Sequence, residues 1–235
     1  RVLFRSRQLE EQRDGLDLLN KVVRHDIRNN LQIVLGYGEM LEEHVDGEGE
    51  THLQKVLTNA ESAVELTHTA ADLAAVMVSP ERVPIEMSLD TVLQMQIAEL
   101  RESFDEATVT VDGSLPSVAV LADEMLSSVF RNLLKNAVQH NDKAQPTVTV
   151  STQTDADTVT VRIADNGPGI PASIRSSIFG QGEKGLGSEG TGVGLYLVRK
   201  LVEAYGGEVW LDDGEEPRLG ETDDGAVFAV KLPRA

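Results

Sequence analysis

The sequence predicts an α+β chain in two parts: an N-terminal antiparallel helical hairpin, residues 1–80, and an α/β sandwich, residues 81–235, with helices on one face of a mixed sheet. Three observations predict it. Apolar residues recur at steps of three, four or seven through the first part, which is the period of an amphipathic helix. Pro80 to Pro84 interrupt that pattern and mark the boundary. Beyond them, short alternating runs are interleaved with helical patterns, as expected of helices packed on a sheet.

In the first part, apolar positions from Leu9 recur at Leu16, Leu19, Val23, Ile27, Leu31, Val34, Gly38, Leu41 and Val45, a long helix that ends in Asp46-Gly-Glu-Gly-Glu50. Leu53, Val56, Leu57, Ala60, Val64, Thr67, Ala71, Ala74 and Met77 predict a second helix that stops before Pro80. Two helices alone cannot bury both stripes, so a homodimer forming a four-helix bundle is the economical solution. His25 lies about 200° round from the first stripe and faces water. Arg28, Asn29 and Gln32 share its face, and Asp26 lies beside it. Such a histidine is either an ordinary solvated side chain or a nucleophile. A neutral imidazole whose Nδ1–H is held by a carboxylate presents its Nε2 lone pair outward.

In the second part, Arg82 to Leu89 is strand-like, Asp90 caps a helix through Leu100 and Phe104, and strands are predicted at Thr108–Val111 and Val118–Leu121. A helix from Glu124 to His140 buries Leu126, Val129, Phe130, Leu133 and Ala137 and carries Asn132, Asn136 and His140 every four residues on its other side. Asparagine is a poor helix former, so this stripe suggests a ligand as the alternative to a solvated face. Pro146–Val150 and Val159–Ile163 pair around Asp155-Ala-Asp as a hairpin. Ala172–Phe179 is a short helix and Gly180–Glu189 a mobile lid. The helix after Gly194 stops at Gly206-Gly207, and strands at Glu208–Leu211 and Ala226–Leu232 flank an acidic loop.

The chemistry gathers between Asp165 and Leu197. A buried strand delivers Asp165 into a turn where Gly167 and Gly169 can take positive φ or let a ligand approach the backbone. Gly190, Gly192 and Gly194 run directly into a helical pattern, and glycines opening a helix expose N–H groups at its positive dipole end, a seat for phosphate. Neither G-x-x-x-x-G-K-[ST] nor a G-x-G-x-x-G placed directly after a strand is present, so the nucleotide pocket suggested here is of another kind.

Thirty-nine acidic and 21 basic residues give a formal charge of −18, which argues against DNA or an anionic membrane as the main partner. The acids are scattered, as on a solvated surface, and this balance is similar to that of proteins from salt-loving archaea. The absence of cysteine excludes disulfides, thiol catalysis and cysteine-based zinc sites, and is compatible with a reducing cytoplasm. No apolar run approaches the roughly 18 residues of a membrane span. The start, Arg-Val-Leu-Phe-Arg, has neither an initiator Met nor a signal-peptide core, so the chain is expected to be cut from something longer.

Four motifs in order now resemble one family. His25-Asp-Ile-Arg-Asn-Asn-Leu-Gln is similar to the phosphoacceptor box of two-component sensor histidine kinases. Phe130-Arg-Asn-Leu-Leu-Lys-Asn-Ala resembles their asparagine box, Asp165-Asn-Gly-Pro-Gly-Ile their first glycine box, and Gly190-Thr-Gly-Val-Gly-Leu their second. The resemblance covers residues from about 20 to 235. It implies a histidine phosphotransfer and dimerisation domain followed by an ATP-binding catalytic domain. His25 is then the phosphoacceptor, Asp26 the base that orients and deprotonates it, and Asn29 a residue that positions water for dephosphorylating the receiver. Asp165 reads adenine; Asn136 coordinates Mg²⁺, with Asn132 and His140 near the phosphates. Gly167 and Gly169 close on the nucleotide, while Gly190, Thr191, Gly192, Gly194 and Leu195 form the lid and phosphate side. The implied partners are a second copy of the chain, a response-regulator receiver domain and an upstream sensor domain. The same pocket type serves ATPase clamps, and a degenerate ATP-binding signalling module is a third class; His25 beside Asp26 favours the kinase.

Overall fold

The structure is a computed structural model that describes residues 26–42, 44–78, 84–180, 193–212 and 225–235. It separates into two compact units, divided between Ala75 and Val76. Among the described residues no helix is long and apolar enough to cross a membrane.

The first unit is the expected hairpin. Residues 26–42 are helical (α1), and α2 runs over Glu48–Val78. The turn is shorter than the sequence suggests, because α2 already begins at Glu48. Gly47 makes the reversal with φ +60°, and the Gly49 amide donates to the Asp46 carbonyl at 3.2 Å. Glu48 and Glu50 then sit in the first turn of α2, where negative charge meets the positive end of the helix dipole. The two helices come close where Gly38 faces Leu57: a Cβ on Gly38 would lie 2.3 Å from Leu57 Cδ2. Ten residues nearer the N-terminus of α1, the Arg28 Nη2 donates to His68 Nδ1 at 3.2 Å.

The second unit is an α/β sandwich. Its main sheet has five strands in the order β2-β4-β5-β7-β6, formed by Thr108–Asp112, Thr147–Thr154, Thr158–Asp165, Val227–Pro233 and Glu208–Leu211. The β2–β4 pair is parallel and the others antiparallel, so the sheet is mixed as predicted. The strands β1 (Ile85–Ser88) and β3 (Ala119–Ala122) form a separate antiparallel pair. Helices α3 (Leu89–Ser103), α4 (Leu126–Gln139) and α6 (Gly194–Ala204) supply the apolar faces, and α5 is a single turn, Ala172–Arg175. Alternation along the strands sends Val148 and Val150, Val159, Val161 and Ile163, and Phe228, Val230 and Leu232 into the core, where all are buried. Those of β4 and β5 meet the α4 face formed by Leu126, Val129, Phe130, Leu133 and Ala137, and α4 packs in turn on α6, which buries Leu197, Val198, Leu201 and Val202.

Local differences from the sequence reading have physical causes. Ser88, not Asp90, stands at the N-cap of α3. Asp90 lies inside the first turn, where its carboxylate accepts from the Thr91 amide at 2.9 Å and from the Ser88 hydroxyl. The predicted helix to Phe179 is only α5, since residues beyond Arg175 continue as turns. Gly206 ends α6 with φ +73°, as expected of a helix stop.

Candidate nucleotide site

The site is assembled where β5 ends beside the last turns of α4. Asp165 closes β5, and one residue beyond the register of β5 with β7 its backbone still pairs, the Asp165 amide donating to the Ala226 carbonyl at 3.0 Å. Its Oδ1 accepts from the Gly167 amide at 2.8 Å and from the Ala226 amide at 3.2 Å. With Oδ1 engaged, Oδ2 has no donor among the described residues and is left for a ligand. Burial pushes the Asp165 carboxyl above its ordinary pKa, opposed by those two amides and by the nearby His140. An ionised carboxylate held in a partly desolvated turn is a strong, directional acceptor for an amine.

The glycines of this turn divide their work. Gly169 has φ +68°, a left-handed conformation in which a side chain would be strained. Gly167 has an ordinary φ but no room: a Cβ there would sit 2.9 Å from Asp165 Oδ1 and 3.4 Å from Asn141 Cγ. A third glycine, missed by sequence reading, is as constrained. A Cβ on Gly225 would lie 1.7 Å from the Asp165 carbonyl oxygen, so the chain entering β7 can pass the Asp165 backbone only as glycine. Its sole sequence signal is a glycine at the edge of a strand.

On α4, Asn132 is only 8% exposed, so it is not on a solvated face. Its Nδ2 donates to the Ser128 carbonyl at 2.7 Å. Its Oδ1 is packed against the start of α6, where a Cβ on Gly194 would come within 2.7 Å of it. Asn136, one turn on, is half-buried and its side chain has no hydrogen-bond partner among the described residues. Leu195, next to Gly194, is also half-buried. The structure therefore brings Asn132 to Gly194, whereas His140, exposed just past the end of α4, acts electrostatically on Asp165 instead of joining the asparagines. The amide oxygens of this stripe suit a hard cation that draws its remaining ligands from phosphate oxygens and water.

Supporting contacts frame the site. The Asn166 side chain bonds to Asn141, Thr147 and Gln145, tying the turn to the segment between α4 and β4. Ile178 is buried, and Phe179 packs edge-on against Phe228 of β7, with ring centroids 6.2 Å apart. The Tyr205 hydroxyl, at the end of α6, donates to Asp123 ahead of α4. Sequence reading passes over Asn141 and Tyr205, whose partners are distant in the chain. His25, Gly190, Thr191, Gly192 and most of the lid predicted over Gly180–Glu189 lie outside the described residues. Asp26 and Asn29 lie exposed on α1.

Residues 122–235 match the family described as histidine kinase-, DNA gyrase B-, and HSP90-like ATPase. The chain is 27% identical over 96% of its length to cyanobacterial phytochrome A of Nostoc sp., covering 29% of that protein. It is 28% identical over 90% of its length to the sensor histidine kinase AruS of Pseudomonas aeruginosa, covering 22% of it. The fold matches histidine kinase ThkA in its complex with response regulator protein TrrA, with a TM-score of 0.58, 20% identity, and coverage of 100% of this chain and 67% of that one. Residues 122–235 are thus an ATPase domain of that family, and the chain is similar to sensor histidine kinases over most of its length. It carries their ATPase-type catalytic domain and spans less than a third of the length of the two curated relatives named here. The sheet end at Asp165 and the asparagine stripe of α4 both lie within the matched domain.

Proposed function

We propose that residues 1–80 dimerise and present His25, that residues 81–235 bind ATP, and that the chain transfers the γ-phosphoryl group to His25 and then to an aspartate of a response-regulator receiver domain. The observation that carries this reading is the placement of Asp165 Oδ2, without a protein donor among the described residues, on the same sandwich as the amides of Asn132 and Asn136. One end can accept the exocyclic amine of adenine and the other can meet phosphate and Mg²⁺. Asn136 would hold the cation, which when bound neutralises phosphate charge. Gly194 and Leu195 begin α6 beside Asn132, and the proposal adds Gly190, Thr191 and Gly192 to the phosphate side from their sequence motif.

Phosphoryl transfer asks a protein mainly for positioning and charge stabilisation. In the proposed step the His25 Nε2 lone pair forms a bond to the γ-phosphorus as the bond to the β,γ-bridging oxygen breaks and ADP leaves. Asp26 orients the imidazole and takes up its proton. Asn29, three residues on, would position water for the reverse duty, removing phosphate from the receiver, which makes the chain both kinase and phosphatase. The exposed apolar positions of the hairpin support assembly with a second copy, and the ThkA complex with a response regulator supports a receiver partner. The proposed setting is the cytoplasm, downstream of a sensor domain.

The test is incubation with γ-labelled ATP and Mg²⁺ beside a His25→Ala variant. Acid-labile, base-stable label that disappears in the variant is expected. Released phosphate without protein label, unchanged in the variant, would replace the kinase reading with an ATPase clamp. Nucleotide binding with neither signal would leave a signalling module.

A further inference from the structure

From the contacts of its side chain we infer that Asn141 is a positioning residue that fixes the spacing between the adenine-reading turn and the phosphate-side helix. The inference rests on the nucleotide reading above and deepens it. Asn141 lies two residues beyond the last residue of α4, and every polar atom of its side chain is committed. Oδ1 accepts from the Lys143 amide at 3.0 Å; Nδ2 donates to Asn166 Oδ1 at 2.8 Å and, more weakly, toward the Ala137 carbonyl at 3.4 Å. The amide orientation is therefore set by its own neighbours, and Nδ2 must be the atom that faces Asn166.

Asn166 is held as firmly. Its Oδ1 also accepts from the Thr147 amide at 2.9 Å, its Nδ2 donates to the Gln145 carbonyl at 3.2 Å, and its backbone amide donates to the Thr147 carbonyl at 3.2 Å. Flipping the Asn166 amide to meet a changed residue 141 would place its NH₂ against the Thr147 amide and leave the Gln145 carbonyl unpaired. The pair thus has one satisfied arrangement. The position of Gly167 confirms the close fit, since a Cβ there would lie 3.4 Å from the Asn141 amide.

The functional consequence follows from what each side carries. The turn from Asp165 to Gly167 continues from the end of β5, whereas Asn132 and Asn136 belong to α4. A ligand that touches both must match the distance between them, and the Asn141–Asn166 bond ties the end of α4 to that turn. Without it each end can still bind its own half of the ligand, but the two halves are no longer held in step.

The experiment is calorimetric titration of the full chain and of Asn141→Ala with MgATP and with adenosine, repeated in the Asn136→Ala background. The expected result is MgATP binding about fivefold weaker in Asn141→Ala, from loss of one half-buried hydrogen bond, with adenosine binding nearly unchanged. In the Asn136→Ala background, where the α4 end has already been weakened, the additional effect of Asn141→Ala should largely vanish. Asn141→Leu, close in volume and unable to donate, should behave like the alanine variant, and serves if that variant unfolds. Equal weakening for MgATP and adenosine, or no weakening for either, would overturn the inference while leaving the nucleotide reading intact. Failure of the unaltered chain to bind MgATP would overturn both.

Discussion

The sandwich completes its core within one chain, burying Phe130, Leu133, Ile163, Leu197 and Leu201 almost entirely. The hairpin does not: Ile27, Val34, Leu41 and Val56 remain 45%, 43%, 48% and 52% exposed. Of the predicted stripe on α1 from Ile27 to Val45, only Gly38 is buried. Ile33, Tyr37 and Met40 add further exposed apolar surface to the same helix. A helix apolar over much of its circumference belongs in the interior of a bundle, and two helices provide too little interior. The contrast separates a self-sufficient unit from one whose exposed apolar face calls for the second copy proposed above, which would make its stability depend on concentration.

The sharpest way to break this contrast is a charge in the hairpin. Leu41→Glu would place two carboxylates in a dimer core, each costing several kcal/mol, and should weaken dimerisation by at least about a hundredfold. Sedimentation equilibrium should then show monomer, while MgATP still binds. A dimer that persists would mean that this face of α1 is not the interface.

Leu133→Ala tests the other side of the contrast. It should cost about 2–5 kcal/mol of sandwich stability, seen as a lower denaturation midpoint that does not depend on protein concentration. Concentration dependence would instead show that the two units unfold as one.

Asp165→Asn acts at the site. It keeps an oxygen for the Gly167 and Ala226 amides but turns the free carboxylate oxygen into an NH₂ group. ATP affinity should fall about ten- to a hundredfold, and the preference over GTP should be lost. Because burial raises the Asp165 pKa, the folded state holds its proton more tightly than the unfolded state does. The associated stability is full below the ordinary carboxylate pKa and is lost as the pH rises through the folded value. The asparagine variant should therefore melt above the parent at neutral pH, and its advantage should shrink as the pH falls through that window. An advantage that does not change with pH would show that the carboxylate is not desolvated. The smallest effect is expected from Arg199→Ala, which removes an exposed i,i+4 pair with Glu203 and should change stability by less than about 1 kcal/mol.

These regions also differ in how far the sequence discloses them. Periodicity was enough to place α4 and the β4–β5 hairpin, because their apolar faces repeat locally and are buried as the pattern demands. Asp165, Gly167 and Gly169 were legible from a compact motif. What escaped were pairings across the chain: Asn141 with Asn166, Tyr205 with Asp123, and Gly225 beside Asp165 are separated by 25, 82 and 60 positions. A local pattern cannot reveal a partner that only tertiary folding supplies. For Asn132 the sequence offers a ligand or a solvated face and cannot disclose its burial, since the helix start at Gly194 that packs against it arrives from 62 residues away.

The bond between Arg28 and His68 labels the hairpin for spectroscopy. A guanidinium can only donate, so His68 must offer the lone pair of Nδ1 and carry its ring proton on Nε2. That single tautomer has a distinct imidazole nitrogen signature in magnetic resonance. It turns one native side chain into a reporter of the register between α1 and α2, readable without any added probe while ATP and a receiver domain are titrated in.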